Sequence, residues 1–271
     1  ATEREFLQVY ARQTYTGMGE VVDLGSWLGS LTVPLLLGLN ENKKLEGKNC
    51  ALHAFDIFEW AGWMSQYYNK DYFRRPLQEG DNFLEDFARQ VTPYDTQRRL
   101  VVHGGDLLKA RWNGQPIELL VVDVMKSWGL TNAVLKDFYT CLIPGVSLVF
   151  HQDFVHYYTP WIHLVHYRLK DYFELVKDIP QSCTVVFRLK KAIPAELLTR
   201  AYSFADFPPA EARAAFEYSK SLIDLSEPWR QAEMAGVEAM YYAHQEKYPE
   251  VQEVVGSAIK AGTPLSHGLK L

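Results

Sequence analysis

Short apolar runs alternate with helix-like segments along most of the chain. The apolar runs are predicted to be strands, because each is a near-continuous series of apolar residues that ends in polar or glycine residues. Five such runs occupy residues 19–25, 50–58, 99–106, 117–124 and 146–154. Helix-like segments follow three of them, at Leu31–Leu39, Asn82–Val91 and Thr131–Leu142. Apolar strands that alternate with helices are typical of a parallel sheet covered on both faces, so the pattern predicts an α/β fold with a doubly wound, mostly parallel, Rossmann-like sheet.

The strand pattern stops at about Ile193, after two further apolar runs at residues 173–180 and 182–191. Two helices are predicted beyond it, and the second is expected to start with Ser226 as its cap and Pro228 in its first turn. They cover residues 207–225 and 226–248. The change of pattern therefore indicates a C-terminal part that is helical only.

This change divides the chain into two predicted domains. Residues 1–192 are predicted to form the sheet domain, and residues 193–271 a C-terminal helical extension. The second helix of the extension has apolar residues at helical spacing, so one of its faces needs a partner. That face is expected to pack on the sheet domain or on another subunit, which leaves a homo-oligomer open.

Composition narrows the class of protein and of partner. The chain has 271 residues and a net charge of -5, so it lacks the positive surface that nucleic-acid binding requires. No apolar run is long enough to span a membrane, and no secretory signal opens the sequence. The three cysteines, Cys50, Cys141 and Cys183, are odd in number and lack metal-type spacing, so each is expected to be a buried apolar residue. These features predict a cytoplasmic protein without membrane or nucleic-acid partners, although a larger parent polypeptide stays open.

An aspartate stands at or near the end of each of the five predicted strands. In open α/β sheets, ligands bind at the carboxyl ends of the strands. Any single aspartate there could cap a helix or a loop, but five in five are hard to explain by capping alone. The five are Asp23, Asp56, Asp106, Asp123 and Asp153. They predict a ligand site with a strongly acidic lining.

The first strand runs into the turn "DLGSWLG", with Asp23 before two glycines, Gly25 and Gly29. A helix must begin close to Ser30 or Thr32, because Pro34 is tolerated only in a first turn. A dinucleotide turn needs a third glycine between these two, and Asp23 would repel a phosphate. S-adenosylmethionine suits the acids better, because its sulfonium and amino groups are cationic and its ribose and adenine donate hydrogen bonds. In chain order, the first three aspartates would meet its amino-acid part, its ribose and its adenine amine.

Residues 10–190 resemble the class I S-adenosylmethionine-dependent methyltransferases, and within them the macrocin O-methyltransferase group. The resemblance rests on the acid-x-Gly-x-Trp-x-Gly turn at residues 23–29 and on "FDIFEWAG" at residues 55–62. It implies an indole beside the cofactor at Trp27, for which a plain core position is the alternative. The cofactor-binding residues that follow are Asp23, Gly25, Ser26, Trp27, Gly29, Asp56, Phe58, Gly105 and Asp106.

The resemblance is weaker where the chemistry would take place. Members of the group that use a metal have Asp-Gly-Asp after the fourth strand and paired aspartates after the fifth. Here Met125 replaces the second acid after Asp123, and Gln152 replaces the first of the pair before Asp153. Asp123, Gln152 and Asp153 could still hold Mg²⁺ together with water, at lower affinity, because this ion keeps much of its hydration shell. Metal dependence therefore stays open.

A histidine base is the other possibility for the proton that methylation of a hydroxyl releases. Four histidines fall within residues 151–166, and His151 ends the fifth predicted strand, so Asp123, His151 and Asp153 are the candidate catalytic residues. His163 and His166 share one face of a predicted helix, where a structural role is expected and a zinc site would lack a third ligand. Lys126 is a second candidate base but is expected to be an exposed loop residue.

The resulting hypothesis is an S-adenosylmethionine-dependent O-methyltransferase that acts on a small-molecule natural product or a sugar. Three alternatives stay open. The acceptor atom could be carbon or nitrogen, the fold could serve an NAD-dependent oxidoreductase, or it could be retained as a binding module. The missing middle glycine argues against the oxidoreductase, and the intact cofactor motif argues against the binding module.

Overall fold

A computed structural model gives the fold of residues 2–263. Seven strands form one sheet in the order β3-β2-β1-β4-β5-β7-β6. They are β1 (Glu20–Leu24), β2 (Leu52–Asp56), β3 (Leu100–Gly104), β4 (Ile117–Val122), β5 (Leu148–His151), β6 (Phe173–Asp178) and β7 (Val185–Leu189). The predicted fold class, a doubly wound, mostly parallel Rossmann-like sheet followed by C-terminal helices, is confirmed.

Nine α-helices accompany the sheet within residues 2–263. They are α1 (Thr2–Val9), α2 (Thr32–Asn40), α3 (Leu84–Val91), α4 (Trp128–Asp137), α5 (Pro160–Leu169), α6 (Ala195–Thr199), α7 (Pro209–Ser221), α8 (Pro228–Ala243) and α9 (Tyr248–Lys260). Helices α6 and α9 were not predicted from the sequence.

The strands inside the sheet and the strand at its edge differ in pairing and in burial. Strands β1, β2 and β3 pair in parallel, with Val21 opposite Leu52 and Leu52 opposite Leu100. β7 pairs antiparallel with both β5 and β6. β1 and β2 are buried along nearly their whole length, whereas β3 is at the edge of the sheet and is largely exposed. The carboxyl ends of the three parallel strands therefore lie at one edge.

Helix starts follow local capping chemistry. α2 begins at Thr32, so Pro34 lies in its first turn as expected. α4 begins at Trp128, before the predicted Thr131, because the Ser127 side chain accepts a hydrogen bond from the Leu130 amide and caps the helix. The predicted cap of α8 is wrong: Glu227 holds the cap position, and Ser226 lies before it with its amide bonded to Asp224.

The chain divides into two compact units, Ala1–Val121 and Val122–Leu271. In the first unit, the buried carboxylate of Glu118 on β4 accepts bonds from the amides of Thr16 (2.6 Å) and Met18 (2.8 Å), which fixes the segment that leads into β1. In the second, the buried Arg230 on α8 forms a two-pronged ion pair with Asp178 on β6. The predicted division at residue 193 stays a prediction.

Two further features are the burial of the three cysteines and the length of the helices. Cys50 is buried as predicted, but Cys141 and Cys183 are only half-buried, because Cys141 ends a short helical turn and Cys183 lies in the connection between β6 and β7. Of the helices in residues 2–263, none has the length and apolar character needed to cross a bilayer.

Candidate functional site

The turn after β1 has the backbone geometry that its glycines suggest. Gly25 and Gly29 have φ values of 90° and 82°, a region that L-residues other than glycine rarely adopt. The Gly25 amide donates to the carbonyl of Phe55 (2.8 Å), which ties the turn to β2. A Cβ atom on Gly29 would lie 2.3 Å from the Val91 side chain on α3. The backbone conformation at both positions therefore favours glycine, and at Gly29 the available space requires it as well.

Asp56 holds this turn and the next one in place. It is the last residue of β2, and its Oδ2 accepts a hydrogen bond from the Trp27 amide (2.8 Å). Its Oδ1 accepts from the Phe58 amide (2.7 Å). Trp27 and Phe58 both have positive φ, 49° and 52°, which is strained for aromatic residues. The carboxylate thus stabilises two left-handed turns at the ends of neighbouring strands.

Asp23 and Ser26 are buried beneath the turn. The Oδ2 of Asp23 accepts a hydrogen bond from the Thr32 hydroxyl (2.6 Å), so the carboxylate faces the start of α2. The Ser26 hydroxyl is 3.2 Å from the carbonyl oxygens of both Asp23 and Phe55. These bonds fix the first turn from below.

Trp27 belongs to an aromatic cluster that reaches from the core to the surface. Its ring stacks against Trp60 and Trp63, with centroids 5.9 and 6.5 Å away, and meets the edge of buried Phe83. Trp63 is 64% exposed and Tyr67 57% exposed. Trp27 itself is half-buried, so the structure matches neither a plain core position nor an open one. Trp63 and Tyr67 were not singled out from the sequence, although both lie in the aromatic-rich segment after the second motif.

The residues after β3 complete the acidic edge of the first unit. Gly105 has a φ of 129°, and its amide donates to the Asp56 carbonyl (2.9 Å). Asp106 caps the following turn through the Leu108 amide (2.9 Å) and lies 3.7 Å from the Lys109 ammonium. Carboxylates at three successive strand ends fit a ligand that carries cationic and hydrogen-bond-donating groups.

Asp123 and Asp153 converge in the second unit, and a lysine joins them. Asp123 directly follows β4, and Asp153 follows β5 by two residues. The Lys126 ammonium is 2.8 Å from Asp123 Oδ1 and also contacts Asp153 Oδ2. Lys126 lies in the loop after β4 as expected, and its side chain is 41% exposed, but the turn directs its ammonium between the two carboxylates.

The position proposed for a magnesium ion does not fit a divalent cation. The two carboxylates already bind the Lys126 ammonium, and Met125, at the second acidic position, is an apolar residue only 3% exposed. Across residues 2–263, no group of three or more His, Cys, Asp and Glu side chains could hold a metal ion. Asp123, Gln152 and Asp153 therefore offer two carboxylates that already share one ammonium.

His151 lies in the core of the second unit. It is 3% exposed, its Nε2 is 3.2 Å from the Tyr139 hydroxyl, and burial lowers its pKa to about 3. The imidazole is therefore neutral near pH 7. β5 ends at His151 as expected, and Asp153 lies two residues beyond the strand. Its catalytic role stays a prediction.

His163 and His166 are buried on α5, and both ring nitrogens of His163 lack a hydrogen-bond partner. Burial lowers the pKa of His163 to about 3 and that of His166 well below its ordinary value. Phe154 packs against both rings. Neutral imidazoles in an aromatic core accord with the structural role expected for them.

Two residues that contact or follow the segment after β5, His156 and Glu233, were given no role from the sequence. His156 is half-buried, and its pKa is lowered by burial and by the Lys126 charge, with Glu233 and Asp123 opposing the shift. Glu233, on α8, is 8% exposed and accepts a hydrogen bond from the Tyr157 amide (2.9 Å). His156 is one of the four histidines in residues 151–166, so the sequence contained a signal for it, whereas nothing in the sequence signals Glu233.

Comparison with solved structures identifies the fold. The O-methyltransferase NovP matches 70% of this chain and 80% of its own, with a TM-score of 0.52 and 16% identity. The chain has the fold of this methyltransferase. Lower similarity is found to a proposed rRNA-methylase from Clostridium thermocellum (TM-score 0.43, 14% identity, 71% of this chain and 98% of that one). The mitomycin 7-O-methyltransferase MmcR gives a TM-score of 0.42 at 13% identity, over 69% of this chain and 54% of its own. No protein-family profile matches the chain, and no curated protein does.

Proposed function

We propose that the chain is an S-adenosylmethionine-dependent methyltransferase that transfers a methyl group to a hydroxyl of a small-molecule natural product or sugar. The observation that carries the proposal is the pair of left-handed turns held by Asp56, in a chain with the fold of the O-methyltransferase NovP. The bound cofactor would supply an activated methyl group on a sulfonium. The chain's own residues would bind that cofactor and orient the acceptor.

The cofactor site is assigned to the first unit. Asp56, which ends β2, would accept hydrogen bonds from the ribose hydroxyls in addition to those from the two turn amides. Gly25 and Gly29 would allow the backbone of the turn to approach the ligand closely. Asp23, Ser26, Trp27, Phe58, Gly105 and Asp106 complete the proposed site.

The acceptor chemistry is assigned to Asp123 and Asp153 in the second unit, with Lys126 between them. A hydroxyl that becomes methylated must lose its proton to a base. Asp123, whose side chain is 28% exposed, is more accessible to an acceptor hydroxyl than His151, which is only 3% exposed. His151 is retained as a candidate that assists. Methylation of a carbon atom would need the same base, and methylation of nitrogen is the other alternative for the acceptor.

The partners follow from composition and stay proposals. With a net charge of -5, the acceptor would be a small molecule rather than a nucleic acid or a membrane surface. The C-terminal helices α7 to α9 would provide the contacts of a homo-oligomer, which size-exclusion chromatography with light scattering can test.

Cofactor binding can be tested by isothermal titration with S-adenosylmethionine, S-adenosylhomocysteine and NAD⁺. The first two should bind and NAD⁺ should not. Gly25→Val should abolish binding, because a side chain would fill the approach to the ligand. Gly47→Val is the matched control, since Gly47 has a comparable φ of 75° but a Cβ added there would meet nothing within 4 Å. It should lose stability without losing affinity.

Two outcomes would contradict the proposal. Full S-adenosylmethionine affinity in folded Gly25→Val would remove the turn from the site, and NAD⁺ affinity in the parent chain would favour the oxidoreductase. Binding without methyl transfer to any of a panel of hydroxylated aromatic compounds and sugars would support the binding-module alternative instead.

A further inference from the structure

The three charged side chains of the second unit form one closed cluster, which we call the Lys126 cluster: Asp123, Lys126 and Asp153. The Asp153 side chain is 13% exposed and the Asp123 side chain 28% exposed, so neither carboxylate is fully hydrated. Two partly buried carboxylates that face each other repel and need a positive charge between them. The Lys126 ammonium supplies that charge.

The cation that lies between the two carboxylates determines whether a metal ion can bind there. A divalent ion placed between these carboxylates would meet an ammonium that is already bonded to both, so the two cations would compete for the same oxygen atoms. The residues next to the cluster in the sequence agree with a singly charged cation. Met125 and Gln152 are neutral, so the single charge of the ammonium is shared by two carboxylates and not by three or four.

The Lys126 ammonium has one N–H donor that neither carboxylate uses. An ammonium group carries three N–H donors and no acceptor. The structure uses two of them, on Asp123 Oδ1 and Asp153 Oδ2, and the Lys126 side chain is 41% exposed. The third N–H can therefore reach a ligand oxygen from the solvent side.

We propose that the Lys126 ammonium is the resident cation of this cluster, replacing a divalent metal, and that its third N–H binds the hydroxyl oxygen of the methyl acceptor. The second half rests on the proposed methyltransferase function, whereas the first half does not. Lys126 would hold the acceptor oxygen at a fixed point beside two carboxylates. Turnover would then be independent of added metal.

The cation assignment is tested with Mn²⁺ alone, followed by electron paramagnetic resonance. The parent chain should show no Mn²⁺ binding that Asp153→Asn removes. Lys126→Ala should gain one Mn²⁺ site per chain, and adding Asp153→Asn should abolish that site. An Asp153-dependent Mn²⁺ site in the parent chain would overturn the proposal, and so would a folded Lys126→Ala variant that gains none. The parent measurement decides the question even if the variant fails to fold.

The role toward the acceptor is tested by separating kcat from cofactor affinity. Lys126→Met should lower kcat by roughly 10²–10³-fold, the usual loss for one oriented donor at a reacting oxygen, while the Kd for S-adenosylmethionine changes by less than about threefold. Lys136→Met is the control, because Lys136 is exposed on α4. It should behave like the parent chain.

Chelation provides the last arm. EDTA should leave turnover unchanged. Loss of turnover in EDTA, with recovery on adding Mg²⁺, would overturn the proposal. An unchanged kcat in Lys126→Met would overturn it as well. If the parent chain does not bind S-adenosylmethionine at all, the proposed function fails, but the Mn²⁺ result still decides which cation the cluster holds.

Discussion

Replacing Asp56 should affect stability as well as cofactor binding. Its carboxylate accepts hydrogen bonds from the amides of Trp27 and Phe58 at 2.8 and 2.7 Å, and both residues have positive φ. A hydrogen bond to a charged acceptor contributes about 1.5–3 kcal/mol, and a left-handed non-glycine residue costs roughly 1–3 kcal/mol. Asp56 is half-buried, so water would replace part of the loss. Asp56→Ala should therefore lower the free energy of unfolding by about 2–4 kcal/mol.

Asp56→Asn gives an intermediate case. The amide oxygen can accept from one of the two turn amides, while the NH₂ group opposes the other. The stability loss should be about half that of the alanine variant. S-adenosylmethionine affinity should fall at least about tenfold in both, because a charge-assisted bond to the ribose is lost.

Urea unfolding followed by tryptophan fluorescence measures the first effect and isothermal titration the second. The control is Asp71→Ala, since Asp71 is an exposed residue of the same unit. It should stay within about 0.5 kcal/mol of the parent chain. An equally stable Asp56→Ala variant would refute the structural role of the carboxylate, and undiminished affinity would refute its place at the ribose.

Three further perturbations test the packing around the sites. Gly29→Ala should cost about 2–4 kcal/mol of unfolding free energy, because its Cβ would lie 2.3 Å from the Val91 side chain at a φ of 82°, and Val91→Ala should recover part of that loss in urea titrations. Glu118→Ala should lose about 2–4 kcal/mol by the same assay, because two amides lose a buried charged acceptor, and a change below about 0.5 kcal/mol would count against this role. Stability should fall as pH drops below 6.5 toward 3, because burial lowers the pKa of folded His163 from 6.5 to about 3, so the unfolded chain binds the proton first. His163→Leu should reduce this pH slope by up to about 1.4 kcal/mol per pH unit, and an unchanged slope between pH 6.5 and 5 would contradict the assignment.

The sheet could be predicted because its signals are local. The apolar run of β1, the glycines after it and Pro34 each constrain neighbouring residues, and the structure has them as expected. The positions of the aspartates after the strands were likewise set by where each strand ends. Helix boundaries were less accurate at α4, because the Ser127 cap was not recognised.

The details of the site depend on contacts between distant parts of the chain, which the sequence does not encode locally. Lys126 meets Asp153 across 27 positions, and only the turns after β4 and β5 bring them together. His151 looked available because it ends a strand, but its burial depends on the surrounding core. The left-handed conformation of Trp27 depends on a carboxylate 29 residues away.

Met125, Gln152 and Lys126 have one common explanation if Lys126 is the cation of the cluster, as proposed above. A doubly charged metal ion would be balanced by additional acids at the positions of Met125 and Gln152, whereas both residues are neutral here. A singly charged ammonium balances less negative charge than a divalent ion would, so a carboxylate at the buried position of Met125 would lack a partner, at a cost of several kcal/mol. Met125 fills its position as a core residue, 3% exposed. A neutral residue at the buried position 125 is therefore what the proposed Lys126 cation favours, and the same ammonium offsets the repulsion between Asp123 and Asp153.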